Sequence, residues 1–246
     1  MWTQAQISSH RIAAKLLTKI MRASLDFIWV HNNSLTEFDV SEFIMAQFQE
    51  NNLRFGKTFS TPIVAFGENT AVIHYSPEKR SAKKLQADMP ILLDIWGKIG
   101  NSKSPFADIT WFGYHGTSVP EKIQKVFRAV IASRDGSANF IRQLLKKSLL
   151  PTGQKVDALS QEILNIYGCV IGHELGHILG TTSSPHGSQW LAEYDEDRLR
   201  AGYAYTIEPG VYFENDFGVR SEMDFLITPE LKFKITTPLQ REIVLL

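Results

Sequence analysis

Two aspartates stand inside apolar, strand-like runs, and the fold must tolerate both. Asp94 interrupts residues 90–96, and Asp108 interrupts residues 107–112. An acid inside an apolar strand costs several kcal/mol unless it is paired or metal-bound. The polar loop at 100–104 between the runs predicts an antiparallel hairpin, which places the acids on neighbouring strands. Three strings in the second half carry further ligand-type groups: Gly172-His173-Glu174-Leu175-Gly176-His177, Thr206-Ile207-Glu208-Pro209-Gly210 and Gly218-Val219-Arg220-Ser221-Glu222. Asp94 alone is well explained as a buried acid bonded to backbone. Asp94, Asp108, Glu208, Glu222 and His177 together suit a pair of divalent cations with a water between them, which points to hydrolysis.

The remaining punctuation gives the element order. Residues 11–28 show helical spacing of Ile12, Leu16, Leu17, Ile20 and Leu25 among basic residues, and predict a packed amphipathic helix rather than a transit peptide. Ser34 or Thr36 caps a second helix over 38–51, with Val40, Phe43, Ile44 and Phe48 on one face. Strands are expected at 62–67, 71–75, 90–96 and 107–112, then helices at about 120–147 and 157–169, then strands at 203–208, 211–213 and 222–227. Each half runs from helices to strands, and the acids come from the strands. The expected fold is α+β: a curved, mainly antiparallel sheet backed by helices, in two pseudo-equivalent halves, over one domain spanning 1–246.

Charge narrows the partners. Lys plus Arg and Asp plus Glu number 26 each, so nothing electrostatic favours nucleic acid or an anionic membrane. No run reaches membrane-spanning length. Cys169 is the only cysteine, so no internal disulfide forms, which fits a cytoplasmic setting. Its apolar surroundings make it a packing residue rather than a nucleophile.

At this point the residues resemble a known family, the pita-bread metallopeptidases (peptidase family M24). Residues 62–75 look like its segment bearing a substrate-facing histidine, here His74. Asp94 and Asp108 look like its two aspartate ligands, and His177, Glu208 and Glu222 like its histidine and two glutamates. Gly218-x-Arg220-x-Glu222, His173-x3-His177-x-Leu179-Gly180 and Glu208-Pro209-Gly210-x-Tyr212 are similar to the Xaa-Pro aminopeptidase and prolidase branch. The resemblance implies release of an N-terminal residue from before proline. It implies two divalent ions, manganese foremost with cobalt, iron or zinc as alternatives. Asp108 and Glu222 would be shared by both ions, Asp94 would complete one, and His177 and Glu208 the other. The ions would acidify an attacking water, Glu208 or Glu222 would shuttle the proton, and His74 and His173 would steady the intermediate and the leaving nitrogen. Arg220 binds a substrate carboxylate or pairs with a neighbouring acid. Tyr212 is part core and part site wall, and Tyr75, Trp111 and Tyr212 are candidates for the proline pocket. The catalytic domain stands without the N-terminal domain usual in this branch, so its own loops or a second copy, as a homodimer, must close the substrate channel.

The chain departs from the pattern in places. Glu174 stands where the family has Gly. Ser184 occupies the position of a downstream site histidine, and His186, two residues on, is the candidate substitute. Four other readings compete: a methionine-aminopeptidase-like enzyme, an amidohydrolase acting on a non-peptide, a silent binding module on the same fold, and a zincin. In the last, His173-Glu174-x-x-His177 would lie on one helix face and hold a single zinc.

Overall fold

The computed structural model describes residues 1–32, 34–58 and 60–246. The chain runs α1 (Gln4–His31), α2 (Glu37–Glu50), β1 (Ile63–Phe66), a 3-10 turn (Gly67–Ala71), β2 (Met89–Gly97) and β3 (Ala107–His115). It continues through α3 (Glu121–Lys146), α4 (Gly153–Ile166), β4 (Gly176–Leu179), β5 (His186–Leu191), β6 (Tyr203–Ile207) and β7 (Gly210–Phe213). Strands β8 (Phe217–Arg220), β9 (Met223–Ile227), β10 (Phe233–Ile235) and β11 (Val244–Leu245) complete it.

The first helix begins at a reciprocal cap: Thr3 Oγ1 accepts the Gln6 N–H at 3.2 Å, and Gln6 Oε1 accepts the Thr3 N–H at 2.9 Å. Its buried stripe is Ala13, Ala14, Leu17, Ile20, Met21, Leu25 and Ile28, whereas Ile12 is 48% exposed. The stripe is therefore rotated from the expected one, because small Ala13 and Ala14 let the helix lie close on the sheet. Of the two candidate caps for α2, Thr36 is used, in a reciprocal box with Asp39.

Strands β1, β2, β3 and β11 form one sheet, in that order. The expected hairpin is present: β2 and β3 run antiparallel with Asp94 opposite Thr110 and Trp96 opposite Asp108. Residues opposite each other share a face, so Ile63, Asp94, Trp96, Asp108 and Thr110 look one way. Val64, Leu93, Ile95 and Ile109 look the other way, into the core beneath α1 and α2. Both faces are covered, which is why the alternation around Asp94 is hidden in the sequence.

The second sheet has the order β10-β9-β6-β4-β5. Ile178, Tyr205, Ile207, Met223, Phe225 and Ile227 pack in a core with Ile141 and Leu145 of α3 and Val156 of α4. The alternate residues His177, Thr206, Glu222 and Asp224 are left for the face that meets the first sheet. Strands β7 and β8 pair with each other.

One expected strand is absent. Ala71 ends the 3-10 turn, and residues 72–75 are irregular chain. Buried Glu37 of α2 ties down the chain around this segment: it accepts from the Phe66 N–H at 2.7 Å, the Lys83 N–H at 2.7 Å, Asn69 Nδ2 at 2.9 Å and the Tyr75 hydroxyl at 2.7 Å. The expected helix at 157–169 starts earlier, at the Thr152 cap, and ends before Gly168, whose φ of +73° suits glycine. The second half also contains β4, β5 and β8, which the sequence did not announce.

Candidate metal centre

The two sheets meet at a cluster of acids. Asp94 of β2, Asp108 of β3 and Glu222, in the break between β8 and β9, bring carboxylate oxygens within 4.8 Å of one another. All three are buried, Glu222 to 1% exposure. On β4, His177 turns Nε2 toward Glu208 Oε1 at 3.4 Å. The five residues expected to bind metal therefore fall in one region, drawn from both halves of the chain.

Their hydrogen bonds leave specific atoms over. Thr110 Oγ1 donates to Glu222 Oε2 at 2.8 Å, and Thr206 Oγ1 donates to Glu208 Oε1 at 2.8 Å. The Thr206 oxygen also accepts the His177 backbone N–H at 3.0 Å. His177 Nδ1 lies 3.1 Å from the Ile178 carbonyl, so this nitrogen carries the proton and Nε2 presents a lone pair. Among the described residues Asp94 Oδ1, Glu222 Oε1, His177 Nε2 and Asp224 Oδ1 are buried without a hydrogen-bond partner. Buried polar atoms are rarely left so. Hard oxygens beside an imidazole lone pair form the donor set of a divalent cation, and the residues fit such an ion.

The electrostatics agree. Burial and the neighbouring Glu222 and Asp94 hold the Asp108 carboxyl well above the usual carboxylate range. Burial and Glu208 do the same for Glu222. Burial pushes Glu208 up to about 8, and Arg220 opposes the rise. Burial, with His186 beside it, takes His177 down to about 3, so its imidazole is neutral. Acids crowded this closely need protons or a cation to coexist.

A cavity of about 360 Å³ opens onto this cluster. Asp94, Asp108, His177 and Glu208 contribute to its wall, and so do His74, His173, His186 and Arg220. The His186 ring stands 4.4 Å from that of His177 and 5.3 Å from that of Trp190. Both nitrogens of His173 are engaged: Nδ1 lies 2.6 Å from the Glu174 carbonyl and Nε2 accepts from the Tyr212 hydroxyl at 2.9 Å.

Arg220 is committed to its neighbours. Its guanidinium reaches Asp94 Oδ2 at 2.5 Å, the Tyr212 hydroxyl at 2.8 Å and the Ile73 carbonyl at 3.3 Å. The ion pair with a neighbouring acid, one of its two expected uses, is present. Tyr212 is not among the residues lining the cavity. A Cβ at Gly210 would come 2.3 Å from its hydroxyl and 2.7 Å from His173 Nε2, so this pair depends on glycine there. Trp111 also lies off the cavity, packed against the first core, because odd-numbered positions of β3 face α1 and α2. Tyr75 does line it.

The zincin geometry is absent. Residues 173–175 are irregular chain and His177 lies on β4, so His173 and His177 do not share a helix face.

Thr110, Thr206 and Asp224 were not anticipated. Asp224 Oδ2 accepts the Asp108 backbone N–H at 2.9 Å. Thr110 carried a signal, since it lies two residues from Asp108 on the same strand face.

The model of metallopeptidase family M24 matches residues 8–229. Over 218 residues the chain is 32% identical to an uncharacterised peptidase of Staphylococcus haemolyticus, covering 86% of this chain and 55% of that protein. Over 197 residues it is 28% identical to Xaa-Pro aminopeptidase 2 of Mus musculus, covering 77% of this chain and 27% of the mouse protein. The chain thus spans about half, or about a quarter, of the length of these relatives. The fold matches the crystal structure of recombinant prolidase from Thermococcus sibiricus with a TM-score of 0.83 at 24% identity, covering 100% of this chain and 62% of that one. The architecture is the pita-bread fold, and the chain belongs to metallopeptidase family M24.

Proposed function

We propose that this chain is a divalent-metal-dependent exopeptidase that releases an N-terminal residue from before proline. The observation that carries this reading is the convergence of buried, unpartnered lone pairs on Asp94, Glu222 and His177 beside a substrate-sized cavity. Asp94, Asp108, His177, Glu208 and Glu222 would hold two divalent cations, with Asp108 and Glu222 the residues that both would share. Manganese is the proposed ion. When bound, such cations polarise a scissile carbonyl and acidify an attacking water.

The chain's own groups do the rest. Ile178 fixes the His177 tautomer, and Thr206 orients Glu208. Since Glu208 Oε1 already accepts from Thr206, Oε2 is the seat for a proton taken from the nucleophile and passed to the leaving nitrogen. Arg220 holds Asp94 in place and keeps one of its oxygens from turning. His74 and His186 face the cavity and are the groups to contact the substrate carbonyl, with His186 filling the role left open by Ser184. Tyr212 holds His173, which serves as a rigid part of the wall. Ile63, Ile73, Tyr75 and Trp190 give the cavity an apolar side against which a proline ring can lie. Proline offers no backbone N–H, so shape rather than hydrogen bonding selects it. A homodimer closing one end of the channel and a cytoplasmic setting belong to the same reading.

The test is a manganese-supplemented screen of Xaa-Pro dipeptides and longer Xaa-Pro peptides against Xaa-Ala counterparts, read by product analysis. Xaa-Pro should be cut at least about tenfold better. A preference for Met-Ala would move the chain to the methionine aminopeptidase type. Metal binding with no hydrolysis of any peptide would make it a binding module.

A further inference from the structure

Of the residues lining the cavity, five carry formal charge: Asp94, Asp108, Glu174, Glu208 and Arg220. Asp94 and Arg220 neutralise one another. Asp108 and Glu208 belong to the metal centre. Glu174 is left over. It sits next to His173; its carboxylate accepts from the neutral Tyr194 hydroxyl at 3.2 Å, and His186 lies within its electrostatic reach. Among the described residues no Lys or Arg forms an ion pair with it. Its electrostatic neighbours include further acids: Asp157 is pushed up to about 6 by burial and by Glu193 and Glu174. Glu174 is also exposed, so an incoming group can reach it. A base's role on a zincin helix is closed to it, because no helix forms there.

A carboxylate on a cavity wall, with no Lys or Arg paired to it among the described residues and further acids within electrostatic reach, favours a positive guest. We propose that Glu174 selects substrates that place an ammonium group against this wall. The inference rests on the exopeptidase reading and gives it a substrate class. The ammonium comes from either the substrate's α-amino terminus or a lysine side chain.

The experiment compares the manganese-loaded chain with its Glu174→Gln variant on two peptide pairs. Lys-Pro-Ala against norleucyl-Pro-Ala isolates the side chain. Ala-Pro-Ala against lactyl-Pro-Ala, which has a hydroxyl in place of the α-ammonium, isolates the terminus. In one pair, the substitution should lower kcat/KM for the ammonium-bearing member about fivefold more than for its partner, the scale of a solvent-exposed ion pair. The difference should shrink at high salt, and the pair that shows it names the source of the ammonium. Equal effects on both members of both pairs would overturn the proposal. If the wild-type chain cleaves none of these peptides, the exopeptidase reading fails on its own. Calorimetric titration of the same pairs then decides the inference, and equal affinities for wild type and variant overturn it.

Discussion

Thr110 Oγ1 donates to Glu222 Oε2 at 2.8 Å and so joins a strand of the first sheet to an acid beside the second. Both residues are buried. Thr110→Val removes the donor and leaves a buried carboxylate oxygen unpaired. The loss should be about 1–3 kcal/mol of unfolding free energy, measured in urea. Manganese affinity should fall about tenfold or more, as when a ligand loses the partner that orients it. Thr110→Ser should recover most of both.

Elemental analysis after loading should approach two cations per chain. On the proposed assignment, Asp108→Asn and Glu222→Gln each remove a charge that both ions would share and should reduce the content toward one. Turnover should drop at least about a hundredfold, the scale for losing one electrostatic contact to the reacting centre. Unchanged turnover in both variants would sink the two-ion assignment.

Metal loading should be linked to protons. The carboxyls of Asp108, Glu208 and Glu222 lie above their ordinary values in the folded chain. The metal-free fold therefore binds protons that the unfolded chain has already released. This contribution to stability is present at low pH and is lost as pH rises from the unfolded carboxylate range through about 8, the Glu208 value. A cation replaces those protons. The rise in Tm on adding manganese should be larger at pH 8 than at pH 6, and calorimetry in buffers of different ionisation enthalpy should register proton release. Equal rises at both pH values would contradict the linkage.

His10 gives a second, separate pH effect. It is buried on α1, with Nδ1 2.8 Å from the Phe106 carbonyl and Nε2 2.7 Å from Thr236 Oγ1. Burial lowers its pKa to about 4. The unfolded chain takes up this proton near pH 6.5 and the folded chain does not, so stability falls as pH drops from about 6.5 to about 4. The whole fall is about 3 kcal/mol. His10→Asn keeps a donor for Phe106 without the titration. The difference in stability between wild type and variant should therefore narrow with acidification, and a constant difference would remove His10 from the acid limb.

The sequence announced the acids and the hairpin because Asp94 and Asp108 are anomalies in apolar runs. It hid the face of each strand around Asp94, since Leu93 and Ile95 enter one core and Leu92 and Trp96 another. Strands β4 and β5 are short and carry His177, His186 and Gln189, so no apolar alternation marks them. Tyr75, in the irregular chain at 72–75, is anchored by Glu37, far away in sequence, and local pattern cannot reveal that. Arg220 was legible as a residue of interest, but its pairing with Asp94 follows from an approach of two strands. Arg134 of α3 went unnoticed, although its buried guanidinium donates to Ser221 Oγ at 2.7 Å, between Arg220 and Glu222.

The Asp108 amide proton is held by the Asp224 carboxylate across the seam rather than by a neighbouring strand. Exchange of that single amide with heavy water should thus report separation of the two halves, even while both sheets stay intact. If the seam opens more readily than the sheets melt, this proton will exchange well before its neighbours in β3. It would then serve as a clock for the breathing that admits a cation to the buried acids.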